Sequence, residues 1–319
     1  MRTPSPLPSE LSDRPFAVGE ARSAGVSESR LRRSDLAAPF RGVRCPADDP
    51  AVGDADADAA AESLWERLHA IALARIRAFA VLVDEGVAVS HLSAAIVHGL
   101  PVPARLLHDP LVHVAVTTQA RRRRRNGVVF HLVVPKRQRS QISDGIQVIS
   151  AVDTWCMMAA ELTLTELVVM GDALVCRKHP PATMDELSQA VHGFAGRPGA
   201  KKLRAALALV RPRTDSPAET ELRLAILAAG LPEPEINVWV VDRKGRRLRL
   251  GDLVYVAERI LIEYDGPHHF ADPAQQRKDI DALDAAAADG WRVIRVHVGH
   301  RRAGFRPAVA RIRAALASA

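Results

Sequence analysis

The chain has 319 residues, 48% hydrophobic and 25% charged, a globular balance on a length that suits two or three domains. Its formal net charge of +7 favours polyanionic partners, nucleic acid first, because a positive surface attracts them by Coulomb forces and counterion release. Cys45, Cys156 and Cys176 are too far apart for a CxxC zinc site, and their odd number argues against a disulfide framework and points to a reducing cytoplasm. Met1–Pro6 has no apolar core to act as a signal peptide. The most apolar helical stretch, Leu68–Val83, is interrupted by Arg75 and Arg77, so no membrane association is expected.

Residues 1–46 read as short helices followed by a strand. Phe16–Arg22 opens a helix, Gly25-Val26-Ser27 turns, and Ser27 can cap a second helix carrying Arg30, Arg32 and Arg33. Phe40–Arg44 then looks extended. Helix, tight glycine turn, basic helix and short strand outline a winged helix-turn-helix, whose second helix would enter the major groove and contact DNA through those arginines. A small helical hairpin with a solvated basic face fits the same residues.

Ala47–Ala60, rich in Ala, Asp, Pro and Gly, reads as a linker. The block 61–200 reads as a mixed α/β domain. It opens with a helix over Ala61–Asp84, and Ser90 can cap a short helix ending before Gly99-Leu100-Pro101. Strands are expected at Leu111–Thr117, Val128–Val134 and Gln147–Ser150, with helices at Val152–Glu161 and Thr165–Arg177. Arg121–Arg125 followed by Asn126-Gly127 reads as a hairpin tip, able to grip phosphates or simply to stay solvated. A further helix lies near Lys201–Val210.

The block 214–319 carries the chemistry. Ser216 is an N-cap with Pro217 at the first helical position, and Glu219 completes a capping box. Arg246–Val256 alternates as a strand, residues near Ala257-Glu258-Arg259 turn, and Ile260–Asp265 returns. Reflection about that turn sets Asp252 across from Glu263 or one step away, where opposed Cβ atoms lie about 4.5–5.5 Å apart. Asp265, two residues beyond Glu263, shares its face. Three facing acids repel, and a hard divalent cation, Mg²⁺ or Mn²⁺, would compensate them; an exposed patch paired with arginine is the alternative. After the histidines, Asp272 and Pro273 start a helix whose first turns carry Arg277 and Lys278, both placed to contact phosphate or to face solvent.

Asp252, the hairpin, then Glu263-Tyr264-Asp265-Gly266-Pro267-His268-His269, with Arg277, Asp279 and the strand Trp291–Val296 following, resembles the PD-(D/E)xK nuclease superfamily. More narrowly it is similar to the domain family related to very-short-patch-repair (Vsr) endonucleases. The resemblance covers Ser216 to the C-terminus. It implies a restriction-endonuclease-like fold, a mixed sheet flanked by helices, that cleaves DNA with Mg²⁺ or Mn²⁺ on Asp252 and Glu263. Glu219 is then the accessory acid, with Glu221 as its fallback. Asp265 stands where the superfamily has a lysine, so His268 or His269 would take over orienting the water or moving its proton. Gly251 stands where the superfamily motif has proline. The N-terminal block, ending in Arg41-Gly42-Val43, resembles the winged-helix start of AbiEi-family antitoxins, and Ser90–Pro101 with Ala151–Ala173 resembles the region found beside it.

The expectation is therefore an α+β chain: a winged helix-turn-helix, a mixed α/β middle and a nuclease end, acting as a metal-dependent DNA endonuclease. A homodimer and a cognate toxin are further partners this setting suggests. The rival is a non-catalytic DNA-binding regulator or antitoxin, favoured by the missing lysine.

Overall fold

The computed structural model describes residues 5–52, 64–84, 86–108, 111–119, 125–134, 139–266 and 273–319. The fold is α+β. The chain divides into two compact units, Met1–Leu162 with Gln189–Leu203, and Thr163–Ser188 with Arg204–Ala319.

The first unit starts with β1 (Phe16–Ala17), α1 (Val18–Ser23), β2 (Leu36–Ala37) and β3 (Val43–Pro46). The strands form an antiparallel sheet in the order β1-β3-β2. Leu11, Phe16, Ala21 and Leu31 make its small core. The turn at Gly25 forms with φ +79, but the expected second helix does not: Arg30–Arg32 is one 3-10 turn. The reason is local. The Arg30 side chain turns inward, donating to Asp35 Oδ1 and Oδ2 at 3.0 and 2.7 Å and to the Ser5 carbonyl at 2.6 Å. It is buried, so it offers DNA nothing. Arg32 and Arg33 remain exposed, Arg32 beside Glu28.

Next come α2 (Leu64–Ala80), β4 (Val87–Val89), α3 (His91–Val97), α4 (Ala104–Leu107), β5 (Val112–Val116), β6 (Val128–Leu132), β7 (Ser140–Ser143), β8 (Ile146–Ile149) and α5 (Ala151–Met157). Their five strands lie in the order β6-β5-β4-β8-β7. β5 and β6 run parallel, with Val112 beside Val128, so these two strands do not make the antiparallel hairpin expected there. Arg121–Arg124 lie outside the described residues. Arg125 is held in packing, donating to the Arg41 carbonyl at 3.1 Å and lying over the Phe79 ring.

α6 (Leu164–Leu174) opens with a capping box of Thr163 and Glu166, and α7 (Met184–Gly193) and α8 (Ala200–Leu209) follow. The second unit then continues with α9 (Pro217–Ala228), β9 (Glu235–Val241), β10 (Arg247–Tyr255), β11 (Ile260–Asp265), α10 (Pro273–Ala288), β12 (Arg292–His297), α11 (Val298–Arg302) and α12 (Arg306–Leu316). The sheet order is β12-β11-β10-β9, with β11 and β12 parallel and the other pairs antiparallel. Leu253, Ile262 and Ile294 pack against Leu222 of α9 and Ile312 of α12. Val254 and Leu261 pack on the other face with Ala286 of α10 and Trp291. The result is a mixed sheet between helices, with both of its faces apolar.

One buried ion pair joins α6 to α9. Asp172 Oδ2 accepts from Arg223 at 2.9 Å and from the Thr220 hydroxyl at 2.8 Å, while Oδ1 accepts the Arg211 N–H at 2.8 Å. Arg223 also donates to Glu233 and to the Leu209 carbonyl. Both charged side chains are essentially inaccessible, which the dense donor set makes tolerable.

Candidate functional site

The hairpin folds in the register that reflection about its turn requires. Leu253 lies opposite Ile262, Val254 opposite Leu261 and Tyr255 opposite Ile260, so one step further Asp252 faces Glu263. Alternation along β11 puts Glu263 on the side of Leu261, the face that α10 covers, while the regular alternation of β10 is interrupted between Gly251 and Val254. The paired ladder ends before them. Beyond it, Asp252 Oδ2 accepts the Tyr264 N–H at 2.8 Å, so the carboxylate lies against the edge of β11.

Gly251 is needed where it stands. A Cβ there would come within 2.4 Å of Leu261 Cδ1 and 2.7 Å of Val254 Cγ2, inside the packed α10 face. Close side-chain packing beneath the hairpin selects glycine at this point.

Glu263 is buried, and its two oxygens have different surroundings. Oε2 accepts from Arg249 Nη2 at 2.5 Å, and Arg249 also donates to the Asp279 carbonyl on α10 at 3.3 Å. Oε1 is fully enclosed and has no hydrogen-bond partner. A buried carboxylate oxygen without a donor is costly, so this atom is the one most in need of a cation.

Glu219 is buried at the start of α9. Its N–H bonds to the Ser216 hydroxyl at 3.2 Å, but its carboxylate does not close the capping box. Glu219 Oε2 instead accepts the Asp215 N–H and the Asn237 side-chain amide, each at 3.0 Å. Asn237 takes a left-handed backbone (φ +49) in β9 and also donates to the Arg213 carbonyl. Glu221, the fallback acid, is committed to Arg301 at 2.6 and 2.7 Å.

The acids affect one another electrostatically. Burial, then the charge of Glu219, pushes the Asp252 carboxyl up to about 7. Burial, then the charge of Asp252, pushes Glu263 up as well, with Arg249 pulling the other way. Glu219 is raised chiefly by its burial. Near neutral pH the Asp252–Glu263 pair therefore tends to retain a proton that a cation would displace.

Asp265 is partly exposed and accepts from Arg295 Nε at 2.9 Å, an ion pair that accounts for its charge. His268 and His269, with Asp272, lie outside the described residues. Arg277 and Lys278 are exposed on the first turns of α10. Among the described residues no three His, Cys, Asp or Glu side chains converge as a metal cage. What the strands bring together is a pair, Asp252 and Glu263, with Glu219 felt electrostatically behind it. Two carboxylates suit Mg²⁺, which keeps several waters and takes its remaining ligands from substrate phosphate. Arg249, Asn237 and the packing reason for Gly251 were not found by reading the sequence. An arginine three residues before the aspartate was the only available signal for the first.

Two uncharacterised proteins of Mycobacterium tuberculosis, Rv2248 (strain ATCC 25618 / H37Rv) and MT2308 (strain CDC 1551 / Oshkosh), are each 28% identical to this chain over 113 residues. That segment is 35% of this chain and 41% of each relative, so the likeness spans less than half the length of the relatives it matches. No family model and no solved structure matches the chain. The described cysteines Cys45, Cys156 and Cys176 are all free thiols, and among the described residues no helix is long and apolar enough to cross a membrane.

Proposed function

We propose that the second unit is a metal-dependent nuclease that hydrolyses a DNA phosphodiester, acting in the cytoplasm. The observation that carries this reading is the partnerless, enclosed Oε1 of Glu263 beside Asp252. An unsatisfied carboxylate oxygen next to a second acid is what a site for a hard cation would present.

Asp252 and Glu263 would hold Mg²⁺ or Mn²⁺, which supplies a more acidic bound water and charge stabilisation at the phosphate. The chain's own groups set the frame for that chemistry. Asn237 and the Asp215 N–H fix Glu219 as the acid behind Asp252. The Tyr264 N–H holds Asp252 in place. Arg249 brings a guanidinium to Glu263, where the superfamily pattern has its lysine two residues further along the chain. Arginine stays protonated at working pH, so it orients and neutralises without moving a proton. His268 remains the proposed proton carrier.

The resemblance of the N-terminal block to antitoxins keeps a cognate toxin, and a second copy of this chain, as proposed partners. A second reading is a DNA-binding regulator whose nuclease fold no longer cleaves. Arg249 on Glu263 and the lack of a three-ligand cage among the described residues favour it. Incubating the purified protein with supercoiled plasmid and Mg²⁺ or Mn²⁺ decides between them. Nicked or linear product that disappears with Asp252→Ala supports the nuclease. Binding without any metal-dependent product supports the regulator.

A further inference from the structure

The β9–β10 hairpin ends in Asp242-Arg243-Lys244-Gly245-Arg246-Arg247, four cations in six residues. Its shape is fixed from within. Asp242 Oδ1 accepts the N–H groups of Lys244 and Arg246, both at 2.8 Å, and Oδ2 accepts from Arg246 Nε at 2.7 Å. Gly245 supplies the left-handed turn residue (φ +78). Asp242 thus holds Arg246, while Arg243, Lys244 and Arg247 stand exposed around an ordered turn.

Beside them on the edge strand β9 is Trp239, 46% exposed. Of the four tryptophans it is the most exposed, and the Arg247 guanidinium lies over its ring, 5.0 Å from the centroid. An exposed indole costs solubility and contributes nothing to the core. An aromatic ring with a stacked arginine and two further cations is the combination that takes a base on its face and phosphates at its rim.

We infer that this hairpin tip is a nucleic-acid contact surface, seating an unpaired DNA base on Trp239 and the flanking phosphates on Arg243, Lys244 and Arg247. The inference deepens the nuclease reading and rests on it for the identity of the polymer. Val238 and Val240 pack toward α10, so Trp239 between them projects from the opposite face of the sheet to Glu263. Arg247 and Asp252 share β10 and are five residues apart, about 17 Å along an extended strand. The tip is thus a contact surface set apart from the carboxylates, one that would hold the polymer rather than the reacting phosphate.

The test is fluorescence anisotropy of a labelled 20-nucleotide single strand on the full-length protein in EDTA, across a salt series. Replacing Arg243, Lys244 and Arg247 together by serine should lower the slope of log affinity against log salt by about 2, at about 0.7 per phosphate. Trp239→Ala should weaken binding about tenfold or more with the slope unchanged, and Trp239→Phe, which keeps a stacking ring, should restore most of it. Affinities and slopes equal to wild type in both variants would overturn the surface. So would a Trp239→Phe protein that binds no better than Trp239→Ala despite the same melting temperature. Polyglutamate competing as well as DNA would also overturn it, because a carboxylate polymer has no base to stack. Mn²⁺ uptake measured on the same samples separates the two readings. Uptake by wild type with unaltered variant binding removes the tip and leaves the carboxylate site. Tip-dependent binding with no uptake removes the nuclease and leaves the surface.

Discussion

Asp172 and Glu263 are two buried acids in the same unit, and they differ in what surrounds them. Asp172 has donors on both oxygens: Arg223 and Thr220 on one, the Arg211 N–H on the other. Glu263 has Arg249 on one oxygen and nothing on the other, with Asp252 directly across the hairpin. Burial raises both carboxyls, so burial alone does not distinguish structural from functional acids. The donor inventory is where the two differ. A saturated acid holds helices together, whereas an acid with one unsatisfied oxygen beside a second carboxylate is what the proposed cation site requires.

The largest expected effect lies on the structural side. Asp172→Ala should lose about 3–5 kcal/mol in chemical denaturation, because Arg223 is left as a buried charge without its main partner. An effect below about 1 kcal/mol would blur the contrast on which the comparison depends. On the functional side, Gly251→Ala should cost about 1–3 kcal/mol, since its methyl group must displace Leu261 and Val254 beneath the hairpin. Melting curves that match wild type would show that this face is looser than its packing implies.

Asp252→Asn should act with the opposite sign. The folded carboxyl is raised to about 7, and an unfolded aspartate titrates near 4. A raised acid costs stability once pH exceeds the unfolded value, and that cost grows until the folded value is passed. In EDTA the variant should therefore match wild type near pH 4, gain on it between pH 4 and 7, and hold a lead of about 1 kcal/mol or more above that. A variant that melts below wild type at pH 8 would make Asp252 a structural ion-pair partner. The smallest effect belongs to Arg30. Because it is tied to the half-exposed Asp35, Arg30→Met should cost about 1 kcal/mol and leave the salt dependence of DNA binding unchanged. A shallower salt slope would return Arg30 to the DNA interface.

What the sequence revealed, and what it did not, follows from the range of each interaction. The opposition of Asp252 and Glu263 depends only on a tight turn and the period of two along a strand, so counting residues from the turn was enough. The α+β class followed from the same periodicities. Arg30 defeated the reading because its exposure depends on Asp35 and the Ser5 carbonyl, and a basic turn reads alike whether it faces in or out. The β5–β6 pair defeated it because an Asn-Gly after five arginines marks a turn, not the direction of the strand that follows. Glu219 was found as a helix-capping residue, but its bond to Asn237 crosses to another strand at a left-handed residue. Arg249 reaches Glu263 across the sheet, a contact that no local pattern encodes.

The central claim is that Asp252 and Glu263 together take up a divalent cation. Isothermal titration of the full chain with Mn²⁺ at pH 6.5, in two buffers of different ionisation enthalpy, tests it most directly. One ion per chain should bind with release of a proton, seen as a buffer-dependent heat, and Asp252→Asn should abolish it. A wild type without saturable heat, or an Asp252→Asn protein that binds the ion equally well, would contradict the account.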